Sequence, residues 1–363
     1  MLISVLKNHK ITEAFTHQEW QLLLSEARAA NLIGRVAYVL LNQNDVEIPK
    51  SVALHLQSAL IISQKQKQQA IHEIREFSKL STQFDITYLK GVAYIIHDLP
   101  ISHGRIFSDI DLLLPKASLN SFEIKLLIHG WLKTASDDYD DFYYRQWMHE
   151  LPPFQHSARE TVADVHHNIL PLTNESCPLT EDFQYQKIQN FGVDEIKTLS
   201  FEDMFIHCSV HLFTESEFHN GLRDLSDLDM LIRHFKNLDA DFLLKTISRA
   251  NELKLSHYLW FSLRYTAKVF DSPITTEELS QLTIKEKSQL QKTVNDFCFK
   301  NIFTPDHNNH QNWKRTLASF FLYWRGHLLR MPLKLLLPHL SRKTWKQLKE
   351  SFTKEDISEQ KLN

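Results

Sequence analysis

Residues 105–114 place two carboxylates at the start of an apolar run. In a β-strand the side chains alternate between two faces, so Asp109 and Asp111 would point one way while Ile110 enters the core. Like charges on one face repel each other unless a cation lies between them. The segment therefore predicts a strand whose carboxylate pair favours a divalent metal such as Mg²⁺. For an isolated pair, a solvated strand edge or a helix N-cap before a turn is the favoured interpretation, and the surrounding sequence is what favours a metal here.

A glycine stands at a predicted strand-to-helix junction upstream of this pair. The chain has only seven glycines in 363 residues, and Gly91 separates an apolar segment from a helix-like one. Glycine lets backbone N–H groups approach an anion closely, and a helix N-terminus adds positive potential, so the junction predicts a phosphate site. Lys90 could supply a counter-charge there, or it could be a surface lysine at the start of the helix.

A third carboxylate lies on a second strand candidate, residues 161–169. Period-two alternation, although imperfect, puts Asp164 and His166 on one face of this segment. If the two strands are neighbours, Asp164 completes a three-carboxylate metal site with Asp109 and Asp111.

These motifs, in this order, resemble the nucleotidyltransferase superfamily that includes DNA polymerase β. The motifs are Leu-Lys-Gly at 89–91, Arg-x-x-x-Asp-Ile-Asp-Leu-Leu at 105–113 and Asp-x-His at 164–166. More closely, the chain resembles a bacterial family of uncharacterised nucleotidyltransferases, over about residues 29–332. The resemblance implies an α+β fold in which a small mixed β-sheet core is embedded in a largely helical protein.

The resemblance also implies roles for the motif residues. Asp109 and Asp111 would bind both of two metals, Mg²⁺ or Mn²⁺, and Asp164 would bind one of them. Gly91 would contact the nucleotide phosphates.

The phosphate motif departs from the superfamily pattern. The usual Gly-Ser after the first strand is replaced by Lys-Gly-Val at 90–92, so Lys90 or Arg105 would have to supply the serine's phosphate contact. A guanidinium binds phosphate oxygens two at a time, which suits Arg105 to brace a triphosphate, although it could equally pair with the aspartates. On the second strand, His166 could touch a metal-bound phosphate or the acceptor.

The predicted reaction is transfer of NMP from an NTP, with ATP the expected donor, to a hydroxyl or phosphate acceptor. Two metals about 3.5–4 Å apart can activate the acceptor oxygen and stabilise the leaving pyrophosphate. Asp164 could also act as the base. The acceptor stays open between a small molecule, a protein and a tRNA. The alternatives are a catalytically silent nucleotide-binding or scaffold protein and a phosphotransferase that uses the same metal site.

Composition agrees with this class. A chain of 363 residues with 43% hydrophobic content can bury a large core. We predict an N-terminal helical region over 1–83, the α/β core over 84–200 and a second helical region over 201–363. Three cysteines without a Cys-x-x-Cys motif, an N-terminus without a signal-peptide pattern and the lack of a long apolar run predict a cytoplasmic protein.

Two further motifs fall on predicted helices. His207 and His211 are four residues apart and could bind a metal on one helix face, but core histidines are the favoured interpretation. A second Asp-x-Asp, at 227–229, lies in a helical pattern that sends its carboxylates to different faces, so it is not assigned to catalysis. The resemblance implies that residues near Arg223 and Asp224 line the active-site cleft.

The segment 314–349 has a strongly biased charge. It contains nine of the 41 basic residues and none of the 44 acidic ones. Apolar residues alternate with the basic ones, so the segment could contact a membrane surface, RNA or a partner protein. The favoured interpretation is that its apolar face packs on the acidic remainder of the chain.

Overall fold

The computed structural model describes residues 1–8, 15–43, 47–134, 138–282 and 289–331, together with positions 333, 334, 336 and 338. Helices dominate this part of the chain, and a seven-stranded mixed sheet lies among them. The predicted α+β class is therefore confirmed. The division into regions 1–83, 84–200 and 201–363 stays a prediction.

The elements are numbered in chain order. The helices are α1 Leu2–Asn8, α2 His17–Ala29, α3 Ile33–Leu41, α4 Lys50–Ser78, α5 Lys90–Ile96, α6 Leu119–Ile128, α7 Asp138–Trp147, α8 Phe201–Thr214, α9 Gly221–Leu238, α10 Phe242–Glu252, α11 Ser256–Phe270, α12 Thr276–Ser280, α13 Gln289–Ile302 and α14 Trp313–Arg330. The strands are β1 Thr87–Tyr88, β2 Asp109–Leu113, β3 Trp131–Lys133, β4 Phe154–His156, β5 Val162–His166, β6 Tyr185–Asn190 and β7 Val193–Leu199.

The sheet brings the two predicted site strands side by side. Its strand order is β3-β4-β5-β2-β1-β7-β6, with β2 parallel to β5 and antiparallel to β1. Asp111 is the register partner of Asp164, and Asp109 is the partner of Val162. Register partners on adjacent strands point to the same face, so the three carboxylates share one face of the sheet. The second strand, β5, ends at His166, before the predicted boundary at 169.

The opposite face of β2 is apolar. Ile110 and Leu112 are 2% and 0% exposed, and they pack in a core with Phe77 of α4 and Phe122 of α6. This burial fixes the register of β2, because a shift by one residue would put the aspartates into that core.

The carboxylate face of β2 meets a second, larger core. Leu113, on the same face as Asp109 and Asp111, belongs to this core together with residues of α8 and α9. The N-terminal helices α1 to α3 contribute to it as well. The carboxylates therefore lie where the sheet meets the helical part of the fold.

A close backbone contact fixes the loop that leads into β2. Gly104 has φ +68°, a conformation that side-chain-bearing residues rarely adopt. A Cβ added at Gly34 of α3 would lie 2.3 Å from the Gly104 carbonyl oxygen. Both positions therefore need glycine.

The first part of the basic segment 314–349 forms helix α14. Ala318 and Leu322 are buried in the larger core, whereas Trp313 and Phe320 are 68% and 57% exposed. The membrane, RNA or protein contact of this segment stays a prediction, and most of the segment beyond α14 lies outside the described residues. Within the described helices, none is both long enough and apolar enough to cross a membrane.

Candidate active site

Asp111 lies at the centre of the site because two side chains hold the same carboxylate oxygen. Lys90 Nζ donates to Asp111 Oδ1 over 2.7 Å, and His166 Nε2 lies 3.0 Å from that oxygen. Burial alone would lower the pKa of Lys90, but Asp111 and Asp109 outweigh burial and hold it above its ordinary value. Lys90 is therefore a charged partner of the carboxylates rather than a surface lysine.

The backbone at Lys90 is strained. Its φ is +46°, in the left-handed region that favours glycine. Non-glycine residues in that region cost about 1–3 kcal/mol and persist where surrounding contacts hold them. The hydrogen bond from Lys90 to Asp111 is such a contact. The strained backbone conformation is therefore maintained together with the position of the ammonium group beside the carboxylates.

Asp109 lies near the carboxylate of Asp111 and has few contacts that offset this repulsion. It accepts a hydrogen bond from Ser108 Oγ over 3.1 Å. Burial raises its pKa and Asp111 raises it further, while Lys90 and Arg105 offset only part of the rise.

One carboxylate oxygen of Asp164 has no compensating contact in the described part of the chain. Its Oδ1 is buried, and no hydrogen-bond partner for it exists among the described residues. Burial, then Asp111 and Glu150, raise the pKa of Asp164 well above its ordinary value. A divalent cation would compensate these charges, and carboxylate oxygens are the ligands that Mg²⁺ and Mn²⁺ prefer. Asp109, Asp111 and Asp164 therefore fit a metal site.

Glu150 extends the cluster, and sequence reasoning did not find it. It precedes β4 and forms an isolated β-bridge with His166. Its Oε2 lies 3.3 Å from His166 Nδ1, and the His149 ring stacks on His166 with centroids 5.5 Å apart. Burial raises the pKa of Glu150 to about 7, with Lys90 opposing the rise and Asp111 adding to it. No spacing in the sequence pointed to Glu150, since only the fold brings it to β5.

Arg105 forms an ion pair with an aspartate of helix α9. Its Nε donates to Asp227 Oδ2 over 3.0 Å, and Asp227 also binds the buried Arg35 of α3. The Arg105 guanidinium lies over the Tyr94 and Phe107 rings, 5.6 Å and 5.4 Å from their centroids. The aspartate that Arg105 pairs with therefore belongs to the second Asp-x-Asp motif, not to the strand pair.

The two carboxylates of that second motif diverge as predicted. Asp227 faces Arg35 and Arg105, whereas Asp229 accepts from Arg233 Nε over 2.9 Å and from Ser272 Oγ over 2.7 Å. Both belong to α9, which confirms the helical interpretation.

A cavity of about 340 Å³ opens in front of the strand carboxylates. The predicted site residues that line it are Lys90, Gly91, Arg105, Asp109 and Asp111. Helices α8 and α9 and the segment between them supply most of the other lining residues, namely Cys208, His211, Leu212, Glu215, Glu217, Phe218, His219, Asn220, Gly221, Arg223, Asp224 and Asp227. Asp164 and His166 are not among the lining residues. Both lie next to Asp111, Asp164 as its register partner and His166 through the contact with Oδ1. The cavity is large enough for a ligand of small-molecule size.

The two helical histidines differ in position. His207 is 3% exposed, and burial lowers its pKa to about 3, so it is a neutral core histidine as favoured from the sequence. His211 lines the cavity and lies 3.5 Å from Glu215. Arg223 and Asp224, which the resemblance places near the cleft, line the cavity too and pair with each other over 2.8 Å.

Gly91 offers a test of how closely a ligand approaches the α5 backbone. A Cβ there would lie 3.1 Å from Arg105 Nη1 and 3.2 Å from Phe107 Cδ1, a tight fit that small shifts can relieve. Alanine also favours the helix by up to about 1 kcal/mol. We expect Gly91→Ala to change the free energy of unfolding by less than about 1 kcal/mol. Because its methyl group would crowd Arg105 in the cavity wall, where the resemblance implies a phosphate contact, we expect the nucleotide KM to rise about tenfold, or about 1.4 kcal/mol.

Denaturant titration and steady-state kinetics check the two halves of this prediction. Gly192→Ala is the control for activity only: Gly192 lies in the turn between β6 and β7 with open space around it, but its φ of +74° makes alanine destabilising there. An unchanged nucleotide KM in Gly91→Ala would contradict a phosphate contact at Gly91.

Comparison with known proteins agrees with this geometry. A family model described as uncharacterised nucleotidyltransferase matches residues 16–271, which is more than half of the chain. No curated protein matched the chain. The matched range begins earlier and ends earlier than the range of about 29–332 that the motifs had indicated, and it contains the three strand carboxylates. The chain therefore belongs to the uncharacterised nucleotidyltransferase family.

Proposed function

We propose that this chain is a metal-dependent nucleotidyltransferase that moves NMP from an NTP, with ATP the expected donor, to a hydroxyl or phosphate acceptor. One observation carries the proposal: Asp109, Asp111 and Asp164 share one face of the sheet, and the first two line a cavity. The partnerless, buried Oδ1 of Asp164 supports a cation at this place. Family membership supports the reaction class.

The three carboxylates are the residues that would hold Mg²⁺ or Mn²⁺. When bound, such ions activate an acceptor oxygen and neutralise the charge that develops on the leaving pyrophosphate. The charges of the chain itself support a cation here, because it buries like charges that Lys90 and Arg105 offset only in part.

Lys90 and His166 are positioning residues in this proposal. Both hold Asp111 Oδ1, so the orientation of the Asp111 carboxylate is fixed before any ligand arrives. A preorganised group needs no rearrangement during the reaction, which is the main way such sites lower a barrier. Asp164 is the base in this proposal, since it is the third carboxylate on the face of the sheet that would hold the cation.

Phosphate binding falls to groups at the cavity wall. Gly91 offers backbone there, and Arg105 and Arg223 offer guanidinium groups. Each arginine is already paired with an aspartate, Asp227 or Asp224, so a phosphate would use its remaining N–H groups. The paired aspartates hold both guanidinium planes in place.

Transfer of label from the nucleotide tests this proposal. The purified chain is incubated with Mg²⁺ or Mn²⁺ and each α-phosphate-labelled NTP in a cell extract. The double variant Asp109→Asn/Asp111→Asn runs in parallel, and Asp194→Asn, an exposed strand aspartate, is the control variant. We expect label to move to a product, with release of pyrophosphate, only for the natural chain and the control.

Two other results would replace the proposal. ADP in place of pyrophosphate would indicate phosphoryl transfer at the same site. Tight nucleotide binding that needs no metal, without transfer of label, would indicate a catalytically silent binding protein. The size class of the labelled product would distinguish a small molecule, a protein and a tRNA as acceptor.

A further inference from the structure

We propose that His149, Glu150 and His166 form a second cation site, separate from the three carboxylates, for a divalent transition metal of the zinc class. One nitrogen of each histidine and one oxygen of Glu150 all lie within 4.8 Å of one another. The inference stands apart from the proposed nucleotidyl transfer, because metal binding is measured without turnover.

The orientation of His166 carries the first step. Its Nε2 lies 3.0 Å from Asp111 Oδ1, and an ionised carboxylate only accepts hydrogen bonds. In a neutral ring Nε2 therefore holds the proton, and Nδ1 is left with a lone pair. A carboxylate that fixes a histidine in this way is the usual partner of a metal-binding imidazole.

The lone pair of Nδ1 points into a place that offers it no donor. His166 is 2% exposed, and its Nδ1 has no hydrogen-bond partner among the described residues. Glu150 Oε2 lies 3.3 Å from this Nδ1, and in its ionised form it is also an acceptor. Two acceptors facing each other in a buried place are unfavourable unless a cation or a proton lies between them.

His149 lies beside the same place, and one of its ring nitrogens belongs to the cluster. Its ring stacks on His166 with centroids 5.5 Å apart, and its Nδ1 is buried without a hydrogen-bond partner in the described structure. The main chain fixes this position, because His167 N donates to His149 O over 2.7 Å. The cluster thus stands on β5 and on the segment bridged to it, so its ligands are held by rigid structure.

The donor set selects a different metal from the carboxylate site. Two imidazoles and one carboxylate are typical of zinc sites that keep an open fourth position, whereas Mg²⁺ prefers oxygen ligands. Asp111 connects the two sites, since it orients His166 while its carboxylate belongs to the three-carboxylate face.

Cobalt(II) binding to the full chain tests the inference. Co²⁺ replaces zinc in such sites and absorbs visible light strongly only when its coordination number is low. The titration is carried out with Mg²⁺ in large excess, so that the carboxylate site is filled. We expect about one Co²⁺ per chain with intense visible bands, displaced by Zn²⁺.

Variants assign the ligands. His149→Ala and Glu150→Gln are each expected to weaken Co²⁺ binding by more than about tenfold, because each removes one ligand. Glu150→Gln keeps the side-chain volume, and a thermal unfolding transition shows that each variant is folded. The matched control is His234→Ala on α9, whose ring lies beside Phe235 away from the cluster, and it should bind Co²⁺ as the natural chain does.

Three results would overturn the inference. Co²⁺ binding that persists in both ligand variants would place the ion elsewhere. Loss of binding in excess Mg²⁺ or in Asp109→Asn would place it in the carboxylate site. No Co²⁺ binding at all would show that the three side chains do not form a metal site. A chain that binds Co²⁺ as expected but transfers no nucleotide would overturn only the proposed function.

Discussion

Replacing Asp164 by asparagine is expected to reduce nucleotidyl transfer by on the order of 10³-fold while making the cation-free chain more stable. Activity falls because the variant loses one of the three carboxylates on the sheet face. Stability rises because the natural chain buries the unpartnered Oδ1 of Asp164 close to Asp111 and Glu150. The neutral amide avoids the repulsion from Asp111 and Glu150, which is what raises the stability in this prediction.

The dependence on pH has a defined sign. The folded-state pKa of Asp164 lies well above its ordinary value, so the folded chain holds this proton at a pH where the unfolded chain has released it. Without a divalent cation, the stability of the natural chain should therefore fall as pH rises from about 4 through the raised pKa. Asp164→Asn should show a weaker fall over the same window.

Denaturant titrations of both proteins, with and without Mg²⁺, measure these effects. A ligand at 100 times its Kd stabilises the folded state by about 2.7 kcal/mol, so Mg²⁺ should stabilise the natural chain and act less on the variant. The exposed Asp194→Asn should match the natural chain in every assay. If Asp164→Asn were less stable than the natural chain without Mg²⁺, the description of Asp164 as an uncompensated charge would be wrong.

The carboxylate strand was predictable because its signal is local. Alternation in 105–114 assigns each side chain to a face, and the same rule applied to 161–169 puts Asp164 and His166 together. Register then required only that the strands be neighbours, which the family resemblance implied. Helix α4 and the helices after residue 200 were predictable for a similar reason, since their apolar periodicity extends over several turns.

The partners of the charged groups were not predictable, because long-range contacts decide them. Lys90 was interpreted as a phosphate ligand or a surface lysine, but β1 and β2 are adjacent in the sheet and bring it to Asp111. Glu150 pairs with His166 through one isolated β-bridge, which no periodicity in the sequence predicts. Arg105 pairs with Asp227, which is distant in the sequence and lies on a helix that packs against the carboxylate face.

Asp227→Ala is expected to destabilise the protein by about 3–5 kcal/mol. The carboxylate is 3% exposed and binds both Arg35, which is also 3% exposed, and Arg105. Its removal leaves two guanidinium groups buried without their counter-charge, which costs far more than an exposed ion pair is worth. Because Arg105 lies against Gly91 in the cavity wall, nucleotide transfer should fall as well.

The matched control lies in the same helix and the same motif. Asp229→Ala also removes a buried aspartate, but its charged partner, Arg233, has a side chain 32% exposed and can turn to solvent, while a second partner is the neutral Ser272 hydroxyl. Its loss should be smaller, about 1–2 kcal/mol, and transfer should be retained. Free energies of unfolding from denaturant titration compare the two variants directly. Equal losses would mean that the Arg35–Asp227–Arg105 cluster contributes no more than an ordinary buried pair.

Acid unfolding provides an independent measurement of the same cluster. Burial alone would raise the pKa of Asp227, but Arg35 and Arg105 outweigh burial and lower it. A carboxylate with a lowered folded-state pKa contributes stability that is present above its unfolded pKa of about 3.9 and is lost as pH falls through the folded value. The difference in stability between the natural chain and Asp227→Ala should therefore hold at neutral pH and shrink only below about pH 4. A difference that shrank already between about pH 5 and 7 would assign the effect to another titrating group, since a paired Asp227 stays ionised throughout that range.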